Sequence, residues 1–333
     1  MAEITVIIPI YNVEQYVSKC LDSLLNQTFT NFEVWAINDG SPDNSRVIVK
    51  EYSKKDKRIR LIDKENGGYG SVLEDGIKNI SSKYFLVCDP DDWLEKNALE
   101  ELYNFAEKNT LDIAVGDKYK VYTYKKDREY ITSFPKRLNI EPNKKYTDPK
   151  DISRFAFGEV SPHAKLYRTE IAKKINFPHH VNYTDTILYI MALTYSKNVG
   201  YINKPLANYL MDRPGNTMTE QIKKRIDHTL IVWNSLFQQL NEVQAKEEYM
   251  YFLFILLKVI LRLKAQLPPN YSDKDLDSEI SKIIKLLREK EIKFLPFDNN
   301  SRFNKLVFLG LMNPRWSKMT MKAYLSLKRG IKR

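Results

Sequence analysis

Short apolar runs alternate with amphipathic stretches through the first hundred residues. The runs cover residues 4–9, 32–38, 59–63 and 84–88, and their Ile, Val and Phe content favours buried strands. After the first run, apolar side chains recur at helical spacing at Val13, Val17, Cys20, Leu21, Leu24 and Leu25. Strands that alternate with helices in this way predict an α/β domain with a parallel, doubly wound sheet.

This regularity ends beyond a fifth short strand at residues 113–115. Residues 118–147 are rich in Tyr and Lys with patchy alternation, which predicts antiparallel strands and loops. Residues 216–333 show helical spacing instead, so we expect an α/β domain over 1–215 and a helical domain over 216–333. The apolar segment 249–267 is interrupted by Lys258, Arg262 and Lys264, which favours a core or oligomer-interface helix over a membrane span.

The net charge of +11 is unevenly distributed along the chain. Residues 1–100 hold 12 Lys+Arg against 17 Asp+Glu, and the remainder holds 41 against 25. The basic later part therefore suits an anionic partner, such as lipid headgroups, a phosphorylated acceptor or nucleic acid. Cys20 and Cys88 look like buried thiols and not a disulfide or metal pair. With no basic segment before the first strand, we expect no secretory signal and a cytoplasmic location.

Three carboxylates follow the fourth apolar run, at Asp89, Asp91 and Asp92. Open α/β sheets bind ligands at the carboxyl ends of their strands, and clustered carboxylates suit a hard cation such as Mg²⁺ or Mn²⁺. The alternative is a solvated acidic turn that caps the next helix. Asp39 ends the second run, and the glycines around Gly67 and Gly68 precede a helix whose N-terminus favours anions.

Four motifs together carry a family resemblance. They are Pro9-Ile10-Tyr11-Asn12, Asn38-Asp39-Gly40-Ser41, Asn66-Gly67-Gly68 and Asp89-Pro90-Asp91-Asp92. In this order and spacing they resemble the nucleotide-sugar domain of glycosyltransferase family 2, which has the Rossmann-like GT-A fold. Lys165-Leu166-Tyr167-Arg168 and residues 177–185 extend the resemblance to the bacterial polysaccharide-synthesis branch, up to about residue 215. The resemblance implies an inverting enzyme that uses a nucleotide diphosphate sugar and a divalent metal.

The resemblance also implies roles for single residues. Asp91 would be the main Mn²⁺ or Mg²⁺ ligand, Asp89 would serve the ribose or the metal, and Asp92 would support the loop by hydrogen bonds. Asp39 would accept a hydrogen bond from N3–H of uracil or thymine, although it could instead be a loop N-cap. The remaining expected donor contacts are Pro9, Tyr11, Asn12, Asn66, Gly67, Gly68 and Arg213.

Asp185 matches the residue that takes the proton from the acceptor hydroxyl. The family usually places Glu before this Asp, whereas here the pair is Thr184-Asp185. Asp185 could alternatively be a first-turn carboxylate stabilised by the helix dipole. Arg213 lies in a segment, 209–217, that closes over the diphosphate in similar proteins, although a surface arginine is the simpler reading. His163, His179 and His180 lie where such enzymes contact donor or acceptor, and structural roles are equally open for them.

The sequence therefore predicts a transferase that moves sugar from a UDP-sugar to a glycan or lipid-linked acceptor of a cell-surface polysaccharide. A nucleotidyltransferase is the enzyme alternative, but residues 9–12 lack its Gly- and Lys-bearing loop. A nucleic-acid-binding protein is the non-enzymatic alternative, and the acidic first hundred residues argue against it. Residues 315–333 carry Lys and Arg without acids, which predicts a peripheral amphipathic helix at the inner face of the plasma membrane. Packing of that tail on Phe303, Leu306 and Leu309 is the alternative.

Overall fold

The computed structural model describes residues 2–214, 220–268, 271–297 and 301–330. The chain divides into two compact units, Met1–Asn216 and Thr217–Arg333. The strands of the first unit are β1 (Ile4–Ile10), β2 (Phe32–Asp39), β3 (Ile59–Lys64), β4 (Tyr84–Val87), β5 (Trp93–Leu94), β6 (Ile113–Val121), β7 (Glu129–Ile131), β8 (Lys144–Tyr146), β9 (Lys165–Arg168) and β10 (Val199–Leu210). Its helices are α1 (Val17–Leu25), α2 (Ser45–Lys55), α3 (Gly68–Asn79), α4 (Ala98–Asn109), α5 (Pro149–Arg154), α6 (Thr169–Ala172) and α7 (Thr184–Tyr195).

One mixed sheet runs through the first unit in the order β3-β2-β1-β4-β9-β6-β10-β5. The first four strands are parallel, β9 is antiparallel to both of its neighbours, and β6 pairs with β10 in parallel. Two successive antiparallel pairings restore the original direction, so β6 and β10 point the same way as β1, β2 and β4. Their carboxyl ends therefore meet at one edge of the sheet, where α/β folds bind ligands.

Both faces of the central strand β1 are covered by helices. Ile4, Val6, Ile8 and Ile10 belong to a core cluster with residues of α1, α2 and α4. On the other face, a Cβ at Gly76 of α3 would lie 2.9 Å from Cδ1 of Ile7, so this helix packs closely on the strand. Continuous burial of β1 on both faces is typical of a doubly wound parallel sheet.

The parallel β–α order predicted for the first hundred residues is confirmed, and the later part differs in two respects. Strand β6 continues to Val121 instead of ending near residue 115, so part of the Tyr- and Lys-rich stretch belongs to it. The antiparallel pairing expected over 118–147 is present in β7 and β8. The insertion of β9 between β4 and β6 was not predicted, because a four-residue strand carries little periodicity.

The second unit is built from helices. They are α8 (Ile222–Glu242), α9 (Glu247–Lys264), α10 (Lys274–Glu289), α11 (Ser301–Met312) and α12 (Ser317–Gly330). Helix α9 is the core helix that the sequence indicated, since Tyr251 and Phe254 are fully buried and Trp233 of α8 donates a hydrogen bond to the Leu253 carbonyl at 2.9 Å. Across the described ranges, no helix combines the length and the hydropathy that a bilayer crossing requires.

Candidate active site

The loop after β4 brings three carboxylates into one tight turn. The backbone N–H of Cys88 still bonds to Ile7 of β1, and the N–H of Asp92 then bonds to the Asp89 carbonyl at 3.0 Å. Asp89 and Asp91 stay partly exposed, whereas Asp92 is buried. The strand thus delivers Asp89 and Asp91 to the carboxyl edge of the sheet, as its sequence predicted.

Asp92 holds this turn in place by hydrogen bonds. Its Oδ1 accepts a hydrogen bond from the Leu210 N–H at 2.7 Å, and its Oδ2 lies 2.5 Å from Nε2 of His163. Burial raises the pKa of Asp92 and lowers the pKa of His163, so each side chain favours its neutral form. The His163 ring also packs on Tyr209, with centroids 4.6 Å apart. Both residues therefore hold β10 and β9 against the turn.

Asp89 and Asp91 have partners that face the crevice. Tyr69 donates a hydrogen bond to Oδ1 of Asp89 at 2.8 Å, and Nε of Arg213 lies 2.6 Å from Oδ2 of Asp91. Burial, followed by repulsion from Asp91, raises the pKa of Asp89 to about 7. Burial also raises the pKa of Asp91, and Arg213 opposes that rise. The two carboxylates crowd negative charge into a site with little solvent, which a bound cation relieves.

A divalent metal fits Asp89 and Asp91 by donor chemistry, because both residues offer the oxygen ligands that Mg²⁺ and Mn²⁺ prefer. Asp89, Asp92 and His163 also present ligand atoms within 4.8 Å of one another. In that second group, however, both oxygens of Asp92 and the Nε2 of His163 are already engaged. Asp89 and Asp91 are consequently the better candidates to hold the metal.

Asp39 organises the glycine turn between β3 and α3. Its carboxylate accepts hydrogen bonds from the N–H groups of Gly67 at 2.9 Å and Gly68 at 2.8 Å, and from Nζ of Lys64 at 3.0 Å. The Asn66 amide donates to the Asp39 carbonyl at 2.8 Å. Oδ2 of Asp39 has one of these partners and retains acceptor capacity for a base N–H. This buried residue therefore ties together three of the residues that the motifs singled out.

The segment 177–183 lies directly on that glycine turn. His180 donates its N–H to the Gly67 carbonyl at 2.6 Å, and a Cβ at Gly68 would lie 2.8 Å from the His180 Cα. Gly68 also has φ +81, a conformation that favours glycine. A Cβ at Gly70 would collide with the Pro178 carbonyl. Close backbone approach at these glycines brings the start of α7 down to the crevice.

Asp185 is in the first turn of α7. Its carboxylate contributes to the raised pKa of Asp89, which places the two acids within electrostatic range. Burial raises the pKa of Asp185, while the Thr186 N–H, Lys165 and Lys118 oppose that rise. A partly exposed carboxylate with a raised pKa is a stronger base than a free one.

Thr184 occupies the position at which the family usually has the Glu of a Glu-Asp pair. Its side chain is fully buried, and a Cβ at Gly70 would lie 3.2 Å from its Cγ2. The position packs against α3 and does not face the crevice. Two lysines act electrostatically on Asp185 instead, and burial lowers the pKa of Lys165 to about 7. Lys118 bonds Oε2 of Glu159 at 2.8 Å and Ser161 at 2.6 Å, and the buried Lys165 bonds the Ser161 carbonyl.

The end of β1 and the partly exposed turn that follows it hold three of the expected donor contacts. Pro9 is buried inside β1, opposite Ile37, so it shapes the strand end and its ring does not face solvent. Tyr11 is 51% exposed. Asn12 has φ +52, and its N–H bonds Oγ of Ser41 at 2.8 Å, which joins this turn to the loop after β2. The exposed His179 bonds Oε2 of Glu74 in α3 at 2.8 Å.

The family assignment follows from a comparison of sequences. Residues 5–176, just over half of the chain, match the sequence profile of Glycosyl transferase family 2. This chain belongs to glycosyltransferase family 2. The family and the class of enzyme predicted from the motifs are therefore confirmed. The profile covers the motifs at Asp39, Gly67 and Asp89 and ends before Asp185.

Two curated relatives show how far the similarity extends. Glycosyltransferase GlyA of Streptococcus pneumoniae serotype 4 is 35% identical over 214 residues, which is 62% of this chain and 30% of that protein. Poly(ribitol-phosphate) beta-glucosyltransferase of Bacillus spizizenii is 31% identical over 224 residues, 65% of this chain and 33% of that protein. The chain thus spans about a third of the length of these two relatives.

The fold is shared with a solved structure. Residues 1–349 of S. aureus TarS, in complex with UDP-GlcNAc, match with a TM-score of 0.69 at 18% identity, covering 100% of this chain and 92% of that chain. At this identity the likeness concerns the fold. It confirms the predicted fold class for this family 2 member, a GT-A-type α/β unit followed by a helical region.

Sequence reasoning missed four residues around the site of this glycosyltransferase. Tyr69 holds Asp89, Lys64 holds Asp39, and the buried ammonium groups of Lys118 and Lys165 act on Asp185. Tyr69 directly follows the motif Asn66-Gly67-Gly68, and Lys165 begins the motif Lys165-Leu166-Tyr167-Arg168. Lys118 had no sequence signal, because its proximity to Asp185 depends on the pairing of β6 with β9.

Proposed function

We propose that the chain is an inverting, metal-dependent glycosyltransferase that moves a sugar from a UDP-sugar to a glycan or lipid-linked acceptor of a bacterial cell-surface polysaccharide. One observation carries the proposal: the Asp89–Asp91 acid pair follows a strand end, and Asp185 at the start of α7 lies within electrostatic range of Asp89. An acid pair for a metal diphosphate and a separate base are the two elements that this chemistry needs.

The residues divide the reaction between them. Asp89 and Asp91 would hold Mn²⁺ or Mg²⁺, which supplies charge neutralisation for the departing diphosphate. Asp185 takes the proton from the acceptor hydroxyl, whose oxygen forms a bond to the anomeric carbon as the bond from that carbon to UDP breaks. Attack from the face opposite UDP inverts the configuration. Lys118 and Lys165 oppose the rise in the pKa of Asp185, which favours the charged form that accepts a proton.

The donor nucleotide is proposed to be uridine-based. Support comes from the free acceptor capacity on Oδ2 of Asp39, which suits the N3–H of uracil. TarS, which shares the fold, was solved with UDP-GlcNAc. Arg213 would turn from Asp91 to the diphosphate, since a guanidinium fork suits phosphate oxygens. Residues 215–217 of the segment expected to close here lie outside the described residues.

Asp39→Ala is expected to weaken UDP binding by about 10- to 100-fold, because a charge-assisted hydrogen bond contributes about 1.5–3 kcal/mol. The variant also leaves the N–H groups of Gly67 and Gly68 without their acceptor, so unfolding becomes easier by about 1–3 kcal/mol. Calorimetric titration with UDP and with GDP measures the base preference. Lys64→Met is the matched control, since it removes one partner of Asp39 and keeps the carboxylate. Equal losses for UDP and GDP in Asp39→Ala would remove the base-recognition role.

The acceptor is proposed to meet the hairpin formed by β6 and β7. The Thr123 N–H bonds Oδ2 of Asp212 at 2.9 Å, and the next residue, Arg213, pairs with Asp91. The hairpin therefore borders the carboxylates. In it, Tyr124 is 70% exposed and Tyr130 is 48% exposed. Lys125 lies over the ring of Tyr124, and Arg128 lies over the ring of Tyr119. Exposed aromatic rings with cations suit a glycan that carries negative charge.

The proposed compartment is the cytoplasm. Cys20 and Cys88 are free and buried, with Sγ atoms 3.6 Å apart. Thiols this close persist where the surroundings are reducing, because an oxidising compartment favours their joining.

A donor screen tests the proposed function. The purified chain is incubated with UDP-, GDP- and CDP-sugars, with Mn²⁺ or with a chelator, while thermal shift and nucleotide release are recorded. We expect a UDP-sugar to raise the unfolding temperature and to release UDP only with metal. Formation of UDP-sugar and pyrophosphate from UTP and a sugar 1-phosphate would overturn the proposal in favour of a nucleotidyltransferase.

A further inference from the structure

Helices α11 and α12 form a hairpin with an unusual charge composition. Residues 301–330 contain no Asp or Glu. Their basic residues are Arg302, Lys305, Arg315, Lys318, Lys322, Lys328 and Arg329. Lys305, Lys318 and Lys322 are exposed. Lys332 and Arg333, which the sequence added to this set, lie outside the described residues.

The same hairpin exposes large apolar side chains. The exposed fractions are 69% for Leu306, 52% for Leu309, 54% for Trp316, 57% for Met319 and 48% for Leu327. Leu306, Met319 and Leu327 line an open groove of about 350 Å³ together with Phe303 and Tyr324. Contiguous exposed apolar surface with a charged rim marks an interaction site.

Not all of the apolar side chains of α12 face outward. Tyr324 and Leu325 are only 2% and 8% exposed. The ring of Tyr324 stacks on Phe303 at 6.2 Å, so part of the tail does pack on α11 as in the alternative considered above. Leu306 and Leu309, expected beneath the tail, instead remain outward.

The hairpin's own packing does not need these outward residues. Val307, Phe308 and Leu311 on α11 are buried, and the Phe308 ring lies 5.0 Å from that of Phe254 in α9. A Cβ at Gly310 would collide with Thr320, so the two helices already approach closely. The outward leucines, Met319 and Trp316 are therefore surplus to the fold of this unit and are available to a partner.

We infer that the outer face of α11 and α12 docks on an anionic membrane surface. Apolar side chains flanked by Lys and Arg are the features of an interfacial amphipathic helix, which buries its apolar side among acyl chains while its cations meet lipid headgroups. A second copy of the chain fits less well, because pairing this face with itself would bring two acid-free basic surfaces together. Nucleic acid would satisfy the cations and leave Leu306, Leu309 and Met319 in water.

Vesicle co-sedimentation with the full chain tests this inference. Vesicles of phosphatidylcholine alone are compared with vesicles that also contain phosphatidylglycerol as a minor anionic component, at low and at high salt. We expect binding to the anionic vesicles that high salt weakens and little binding to the neutral ones. Lys305→Gln/Lys318→Gln/Lys322→Gln should lower the binding constant by on the order of 100-fold. Leu306→Ser/Met319→Ser should also weaken binding, since the apolar contact is lost.

A matched control separates the hairpin from general positive charge. Lys282→Gln/Lys285→Gln/Lys290→Gln removes the same charge from exposed positions in α10 and at its C-terminal end, within the same unit, and should leave binding within a few-fold of wild type. The emission of Trp316 provides a second measurement. A blue shift on adding anionic vesicles should appear in the wild type and be absent in Trp316→Phe.

Three results would overturn the inference. Equal losses in the two lysine triples would mean that general positive charge, and not this face, drives binding. Binding that ignores lipid charge would remove the role of the cations. Concentration-dependent self-association that Leu306→Ser/Met319→Ser abolishes, without vesicle binding, would assign the face to a contact between copies of the chain. Donor turnover is measured in parallel and is expected to be unchanged, since these residues lie outside the proposed active site.

Discussion

Replacing Asp91 by Asn is expected to cut metal-dependent sugar transfer by about 10²–10⁴-fold while the fold persists. The substitution keeps the shape of the side chain and removes its charge, and a loss of this size corresponds to about 3–5 kcal/mol of transition-state stabilisation. Because burial raises the pKa of Asp91, its charged form is disfavoured in the metal-free protein. The neutral side chain therefore costs little stability.

Thermal unfolding with and without Mn²⁺, together with the transfer assay, measures both effects. Wild type should gain stability from Mn²⁺ plus UDP, and Asp91→Asn should lose most of that gain. Asp92→Asn is the matched control one residue away, because its carboxamide can still accept from Leu210 and donate to His163. If Asp92→Asn lost the Mn²⁺ response and Asp91→Asn kept it, the metal would belong to the group of Asp89, Asp92 and His163.

The first four strands were predictable because the pattern that indicates each strand lies within its own short segment of the chain. The runs at 4–9 and 84–88 are continuous and apolar, which is what a strand buried on both faces requires. Once β1 and β4 are neighbours, Asp89 must emerge at the same edge as Asp39. Position in the chain and the direction of parallel strands therefore predicted the place of these acids without any side-chain geometry.

The surroundings of Asp185 could not be predicted in the same way. Lys118 and Lys165 are far apart in the chain, and they meet because β9 runs antiparallel between β4 and β6. No periodicity reports such a long-range pairing. Likewise, Cys20 and Cys88 look unrelated in sequence, yet their sulfur atoms lie 3.6 Å apart once α1 packs on the sheet. Pairings between distant segments decide these features.

Asp39 and Arg213 illustrate a further limit of motifs. The sequence indicated ligand contacts for both residues, and both side chains also bond to other residues of the protein when no ligand is bound. Asp39 holds the N–H groups of Gly67 and Gly68, and Arg213 holds Asp91. A single substitution at either position therefore changes the protein as well as its ligand contacts. Matched controls such as Lys64→Met are needed for that reason.

Replacing Asp185 by Asn is expected to lower the rate of transfer by about 10²–10⁴-fold, the range for removal of a general base. UDP-sugar affinity should stay within about threefold of wild type, because the base acts on the acceptor in the transition state. The carboxamide takes the place of the carboxylate in the first turn of α7 without a change of shape, so the fold is retained. Steady-state transfer assays and donor titration by calorimetry measure the two quantities separately.

Thr184→Val is the control for this substitution. The Thr184 hydroxyl is buried without a hydrogen-bond partner among the described residues, and Val keeps its shape against Gly70. Activity should therefore stay within a few-fold of wild type, which would show that the loss in Asp185→Asn comes from the carboxylate and not from disturbance of the helix start. A fall in donor affinity that matches the fall in rate for Asp185→Asn would make Asp185 a donor or metal residue, since Asp185 lies within electrostatic range of Asp89. The base would then have to be sought among other residues of the crevice.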